Sequence, residues 1–102
     1  MTAHLLVMYP HPKDPAEFDR AYKEEHLPFA GPRLKGATSV VTQRVVGPSF
    51  APPPYYLISD VTYPTIEKLK ESAASTGMEA LQHAASISTG GPPTVVVVTN
   101  DQ

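Results

Sequence analysis

The sequence contains no cysteine and no tryptophan. Without cysteine there is no disulfide framework, no thiolate nucleophile and no cysteine-based zinc site. Neither sign of charge dominates. Eight Lys and Arg face ten Asp and Glu, a formal net charge of -2, so there is no electrostatic case for a nucleic acid or an anionic membrane as partner. No stretch approaches the ~20 apolar residues of a membrane span. The apolar opening His4–Tyr9 is too short for a secretory signal and lacks a basic flank. A cytoplasmic protein is expected. No glycine-rich phosphate loop follows a strand, because Gly90-Gly91 leads into Pro92-Pro93 and a further apolar run. The four histidines, His4, His11, His26 and His83, show no HExxH or other short ligand spacing. Neither a metal nor another cofactor is therefore expected.

What remains is a 102-residue chain that is 41% hydrophobic and 18% charged, globular rather than disordered in composition. Its length suits one domain over residues 1–102. Residues 4–9, HLLVMY, read as a first strand that Pro10 and Pro12 terminate. Asp14-Pro15-Ala16-Glu17 is a helix start, with Asp14 as cap, Pro15 where its missing N–H is harmless and Glu17 completing a capping box. Phe18, Ala21 and Tyr22 define its buried stripe, His26 lies on or beside it, and Pro28 ends or kinks the helix near Leu27.

Residues 37–46 and 55–63, rich in β-branched and aromatic side chains, read as strands two and three. Between them runs GPSFAPPP, where four prolines in eight residues predict a stiff, extended connection. Ile66, Leu69 and Ala73 mark a second helix, with Gly77 expected as its left-handed terminator. Thr76-Gly77-Met78-Glu79 reads as a capping box for a short helix to about Ser86. Residues 94–99, TVVVVT, form the last strand, and residues 100–102 are expected to fray.

The order strand, helix, strand, strand, helix, strand predicts an α+β, βαββαβ domain with a four-stranded antiparallel sheet. Right-handed crossovers put both helices on one face. A sheet with one wet face alternates apolar and polar residues. Leu5-Leu6-Val7-Met8, Val40-Val41, Val45-Val46 and Val95–Val98 are instead apolar in succession. Both faces should therefore be buried, although the chain covers only one. At roughly 25 cal/mol per Å², leaving several hundred Å² of apolar surface in water forfeits on the order of 10 kcal/mol, comparable to the whole stability of such a domain. A homodimer formed through the helix-free face is the expected cover.

With the opening LLVMYPHP, the helix DPAEFDRAYKEEH, His26-Leu27-Pro28, ISDVTY, TIEKLKESAAS and the closing valine strand in view, the chain resembles the EthD family. That family belongs to the ferredoxin-like, dimeric α/β-barrel proteins and takes its name from bacterial ethyl tert-butyl ether degradation loci. The His-x-Pro closing a helix that opens with x-Pro-x-x-Phe is the most specific element. The resemblance implies a dimeric α/β barrel acting in bacterial catabolism of ethers, aromatics or polyketide-type molecules. Relatives across the superfold include cyclases, oxygenases and isomerases, some sister families bind haem, and the resemblance implies a cofactor-independent activity of that kind here. One departure is that relatives commonly carry Glu where this chain has Asp60, which shortens the carboxylate arm by roughly 1.5 Å.

Two residues are candidate catalytic groups. His26, with an ordinary pKa near neutrality, suits general acid–base work, and the resemblance points to it. Its plainer role is to close the helix C-terminus. Asp60 lies within an apolar strand, where a carboxylate needs a partner. His26 and Arg44 are available by type. Asp60 then either orients His26 or forms a structural pair, and its face of the sheet is open because both faces are apolar. Tyr9, Tyr22 and Arg44 are candidate ligand-binding residues. The expected ligand is a small, mostly apolar molecule in a cleft between the sheet and the first helix, gated by residues 47–54. The alternative is a non-catalytic binding or accessory protein of an oxidation system.

Overall fold

In a computed structural model, which describes residues 2–100, four antiparallel strands lie in the order β2-β3-β1-β4. Strand β1 spans Ala3–Tyr9, β2 Ser39–Arg44, β3 Leu57–Tyr63 and β4 Thr94–Thr99. The central strands β1 and β3 pair with Leu5 opposite Val61 and Val7 opposite Ser59. This is the ferredoxin-like βαββαβ arrangement, with all helices on one face.

The first helical run opens as expected. The Glu17 backbone N–H donates to Asp14 Oδ1 at 3.2 Å and Pro15 begins α1, Pro15–Ala21. Only half of the capping box forms, because the Glu17 carboxylate instead accepts from Arg20. The run does not stop at Leu27. A π turn, Tyr22–His26, leads directly into α2, Leu27–Ala30, and a 3-10 turn, Gly31–Arg33. The Leu27 N–H reaches back five residues to the Tyr22 carbonyl. This wider register immediately precedes Pro28, which has no N–H and whose ring would strike a carbonyl four residues back in a regular helix. Proline therefore re-registers the helix, and both Tyr22 and His26 stay on the buried side.

The second run divides into α3, Ile66–Ala73, capped by Thr65, and α4, Thr76–Ile87. Gly77 is not a left-handed terminator, since positive φ occurs only at Gly36 and Gly91 among the described residues. It lies in the first turn of α4, where any Cβ would collide with the Ser72 carbonyl at the end of α3. The Thr76 capping box does not form either. Its hydroxyl donates to the Arg33 carbonyl at 2.8 Å and ties α4 to the end of the first run.

Burial alternates strictly along β1 and β3. Ala3, Leu5, Val7, Tyr9, Leu57, Ser59, Val61 and Tyr63 face the helices and are buried. Each large apolar side chain there contributes about 2 kcal/mol by leaving water. His4, Leu6, Met8, Ile58, Asp60 and Thr62 occupy the other face. The edge strands β2 and β4 are exposed on both faces. Val40, Val41 and Val95–Val98 all stand at least a third exposed. The uncovered apolar surface is thus wider than the helix-free face alone. Of the expected frayed end, Asp101 and Gln102 lie outside the described residues. No helix among the described residues is long and apolar enough to cross a membrane.

Candidate active site

His26 sits at the end of the π turn, 6% exposed, over the helix-facing side of β1 and β3. Its Nδ1 lies 3.0 Å from His83 Nδ1, so one imidazole donates to the other. Its Nε2 lies 3.5 Å from the Tyr9 hydroxyl. The two imidazoles are nearly coplanar, 6° apart. His83 is held in turn by stacking on Phe29 at 4.6 Å, and the Arg33 guanidinium carbon lies 3.7 Å from the centroid of that Phe29 ring. The arrangement is a line of exchangeable protons running Tyr9, His26, His83, from the buried core to a partly exposed end.

Burial first, and the neighbouring His83 second, push the His26 pKa down from 6.5 to about 4. The expectation of a pKa near neutrality is corrected accordingly. A desolvated imidazole beside another imidazole disfavours its charged form. At neutral pH His26 is an uncharged base. Burial, and then Tyr22, push the Tyr9 phenol above its usual range, so it keeps its proton.

Two spaces open along the seam between the first helical run and β2. The inner one, about 260 Å³, is lined by His26, Leu27, Ala30, Leu34, Val40 and Ser59, together with Gly31 and Thr42. The outer one, about 340 Å³, is lined by Asp19, Tyr22, Lys23, Leu27, Thr42 and Arg44, with Leu57 at its floor. Tyr22 and Thr42 share a 2.8 Å hydrogen bond between them. Another groove, of about 300 Å³, runs between α1 and the end of α4. Its polar wall is already self-satisfied, because Arg20 binds Glu17, Glu24 and Glu25.

The residues singled out from sequence therefore separate. His26 lines the inner cleft, and Tyr22 and Arg44 line the outer one. Arg44 is also paired with Asp19 at 3.3 Å and lies over the Tyr56 ring. Tyr9 is fully buried and lines neither space, so it stands behind His26 rather than against a ligand. Asp60 does not meet His26 or Arg44. It lies on the helix-free face, where His4 Nδ1 is 2.9 Å from its Oδ1 and 3.2 Å from Thr62 Oγ1. The expectation that Asp60 orients His26 is corrected: the sheet stands between them. Residues 47–54, expected as a gate, line none of these spaces.

Two residues escaped the sequence reading. His83 shares a helical face with Ala80 and Ala84, both buried, a spacing legible in advance. Ser59 alternates with Leu57 and Val61 on the inward face of β3. Its polarity alone could not distinguish that face from the one carrying Asp60. Among the described residues no group of three metal-ligating side chains comes together.

A buried histidine at the end of a π-bulged first helix, over the covered face of a four-stranded antiparallel sheet, marks a candidate site between helix and sheet in a ferredoxin-like α+β fold. The chain shares this fold with an EthD family protein from Bacillus halodurans, at TM-score 0.86 and 22% identity over 99% of this chain and 100% of that one. A dimeric ferredoxin-like protein of unknown function from Jannaschia superposes at TM-score 0.66 and 18% identity, covering 97% of this chain and 98% of that one. SnoaB, a cofactor-independent oxygenase from Streptomyces nogalater, superposes at TM-score 0.62 and 14% identity, covering 99% and 93%. No family model matches the chain. No curated protein matches it. The EthD resemblance holds at the level of the fold.

Proposed function

We propose that residues 1–102 form one EthD-like domain that acts on a small, mostly apolar organic molecule without a cofactor, in bacterial catabolism, with His26 as the proton-transferring base. The observation that carries this reading is the setting of His26. It is buried, uncharged at neutral pH, bonded to side chains rather than backbone, and open to an apolar cleft. A histidine that merely closed a helix would turn to backbone carbonyls and need no cleft. His26 takes a proton from the bound molecule, and the His83 contact carries it toward solvent. Tyr22 and Arg44 line the approach.

The working form is a cytoplasmic homodimer joined through the helix-free face. Leu6, Met8, Val41, Ile58, Val96 and Val98 on that face support it, because their exposure in water opposes the folded state.

The acid–base role is tested without knowing the natural substrate. Small ketones such as acetophenone are incubated with the protein in D₂O, and exchange of the hydrogens beside the carbonyl is followed by proton NMR. The expected result is exchange above the buffer rate, abolished in His26→Ala with the fold retained by circular dichroism. Exchange at the buffer rate across a panel of ketones and phenols removes the catalytic reading and leaves the binding or accessory one.

A further inference from the structure

We propose that Ser59 anchors the ligand, and that the ligand class is an uncharged carbonyl compound whose oxygen sits between Ser59 and His26. The proposal deepens the reading of the His26 cleft and rests on it. Ser59 is 5% exposed, in the middle of β3 and facing the helices. Buried hydroxyls are nearly always hydrogen-bonded, and others on this face obey that rule: buried Tyr22 bonds Thr42, and Tyr63 donates to Ser72. The Ser59 hydroxyl makes no hydrogen bond among the described residues. Among the described residues, every side-chain oxygen or nitrogen fully closed off from solvent does have a partner. The Ser59 hydroxyl must therefore open onto free space.

That space is defined on two sides. Ser59 lines the 260 Å³ cleft, and it also lines a small chamber of about 20 Å³ beneath it, next to Leu5, Val7 and Val61. His26 is the one other polar side chain that lines both. A chamber of that size admits roughly one oxygen-sized atom. No charged side chain lines either space, so a carboxylate would be desolvated without a counter-ion. The His26 Nδ1 is engaged by His83, and its Nε2, only loosely approached by the Tyr9 hydroxyl at 3.5 Å, is the nitrogen left to accept a proton. The free O–H on offer is that of Ser59, which a carbonyl oxygen accepts while its apolar body lies against Ala30, Leu34 and Val40.

The experiment titrates the full chain with acetophenone, ethylbenzene and benzoate, following the His26 ring signals by NMR. Acetophenone is expected to bind, with benzoate leaving the signals in place. Ser59→Ala should weaken acetophenone about tenfold, the loss of one hydrogen bond, while ethylbenzene binds both proteins alike. Ser59→Cys, which keeps the volume with a weaker donor, should fall between them. Equal acetophenone affinity in all three proteins overturns the Ser59 assignment. If the His26 signals still move on binding, the cleft itself stands. If they are unmoved by acetophenone, the cleft reading falls as well.

Discussion

Burial of His26 should make the fold acid-sensitive in a way that one substitution removes. In the unfolded chain this imidazole titrates near 6.5 and in the folded protein near 4. Between those values the unfolded state takes up a proton that the folded state refuses. Stability therefore falls as pH drops below 6.5, the loss is complete near pH 4, and above 6.5 His26 adds no pH dependence. At full strength the loss from pH 7 to pH 5 is about 2 kcal/mol, and water in the open cleft reduces it toward ~1 kcal/mol. His26→Gln is neutral throughout and lacks this term. Urea unfolding at fixed protomer concentration, at pH 7, 6 and 5, measures the difference between the two proteins. Wild type should lose about 1–2 kcal/mol more than the variant over that range, a midpoint change of roughly 1 M urea. Parallel losses in both proteins would refute the reasoning, as would a His26 NMR titration midpoint above pH 6.

Gly77→Ala should destabilise by about 2–4 kcal/mol, because the added methyl meets the Ser72 carbonyl and α3 and α4 must separate; thermal melting by circular dichroism reads this. Asp60→Asn should leave both ketone exchange and the His26 titration unchanged, since the carboxylate lies across the sheet with His4; a tenfold loss of exchange would restore it to the site. Sedimentation at micromolar concentration should give a dimer, and Val41→Asp on the helix-free face should shift it toward monomer without moving the His26 titration. An 11 kDa species in the wild type at that concentration would count against the dimer.

The order of elements was legible because local chemistry dictates it. Asp14 and Pro15 start a helix wherever they stand, prolines 10 and 12 end a strand, and the Phe18, Ala21, Tyr22 stripe buries as its spacing requires. Gly77 was misread because a glycine that ends a helix and one that lets two helices touch look the same in sequence; only the position of the Ser72 carbonyl distinguishes them. The candidate site was legible in part. His26 stood out through the EthD resemblance rather than through its spacing after Phe18 and Tyr22. Asp60 could not be assigned a face, because β1 and β3 carry apolar residues at successive positions and offer no alternation from which to read one.

The amino-acid sequence by itself determined the elements, their order, and hence a sheet with both helical runs on one side, since these follow from short-range propensity and the handedness of crossovers. Only the tertiary structure decided which polar groups meet. His83 reaches His26 from 57 residues away, and Asp60 turns its back on it within a single strand. Such encounters depend on strand register and on how two helices settle against a sheet, where a shift of one residue moves a side chain to the opposite face.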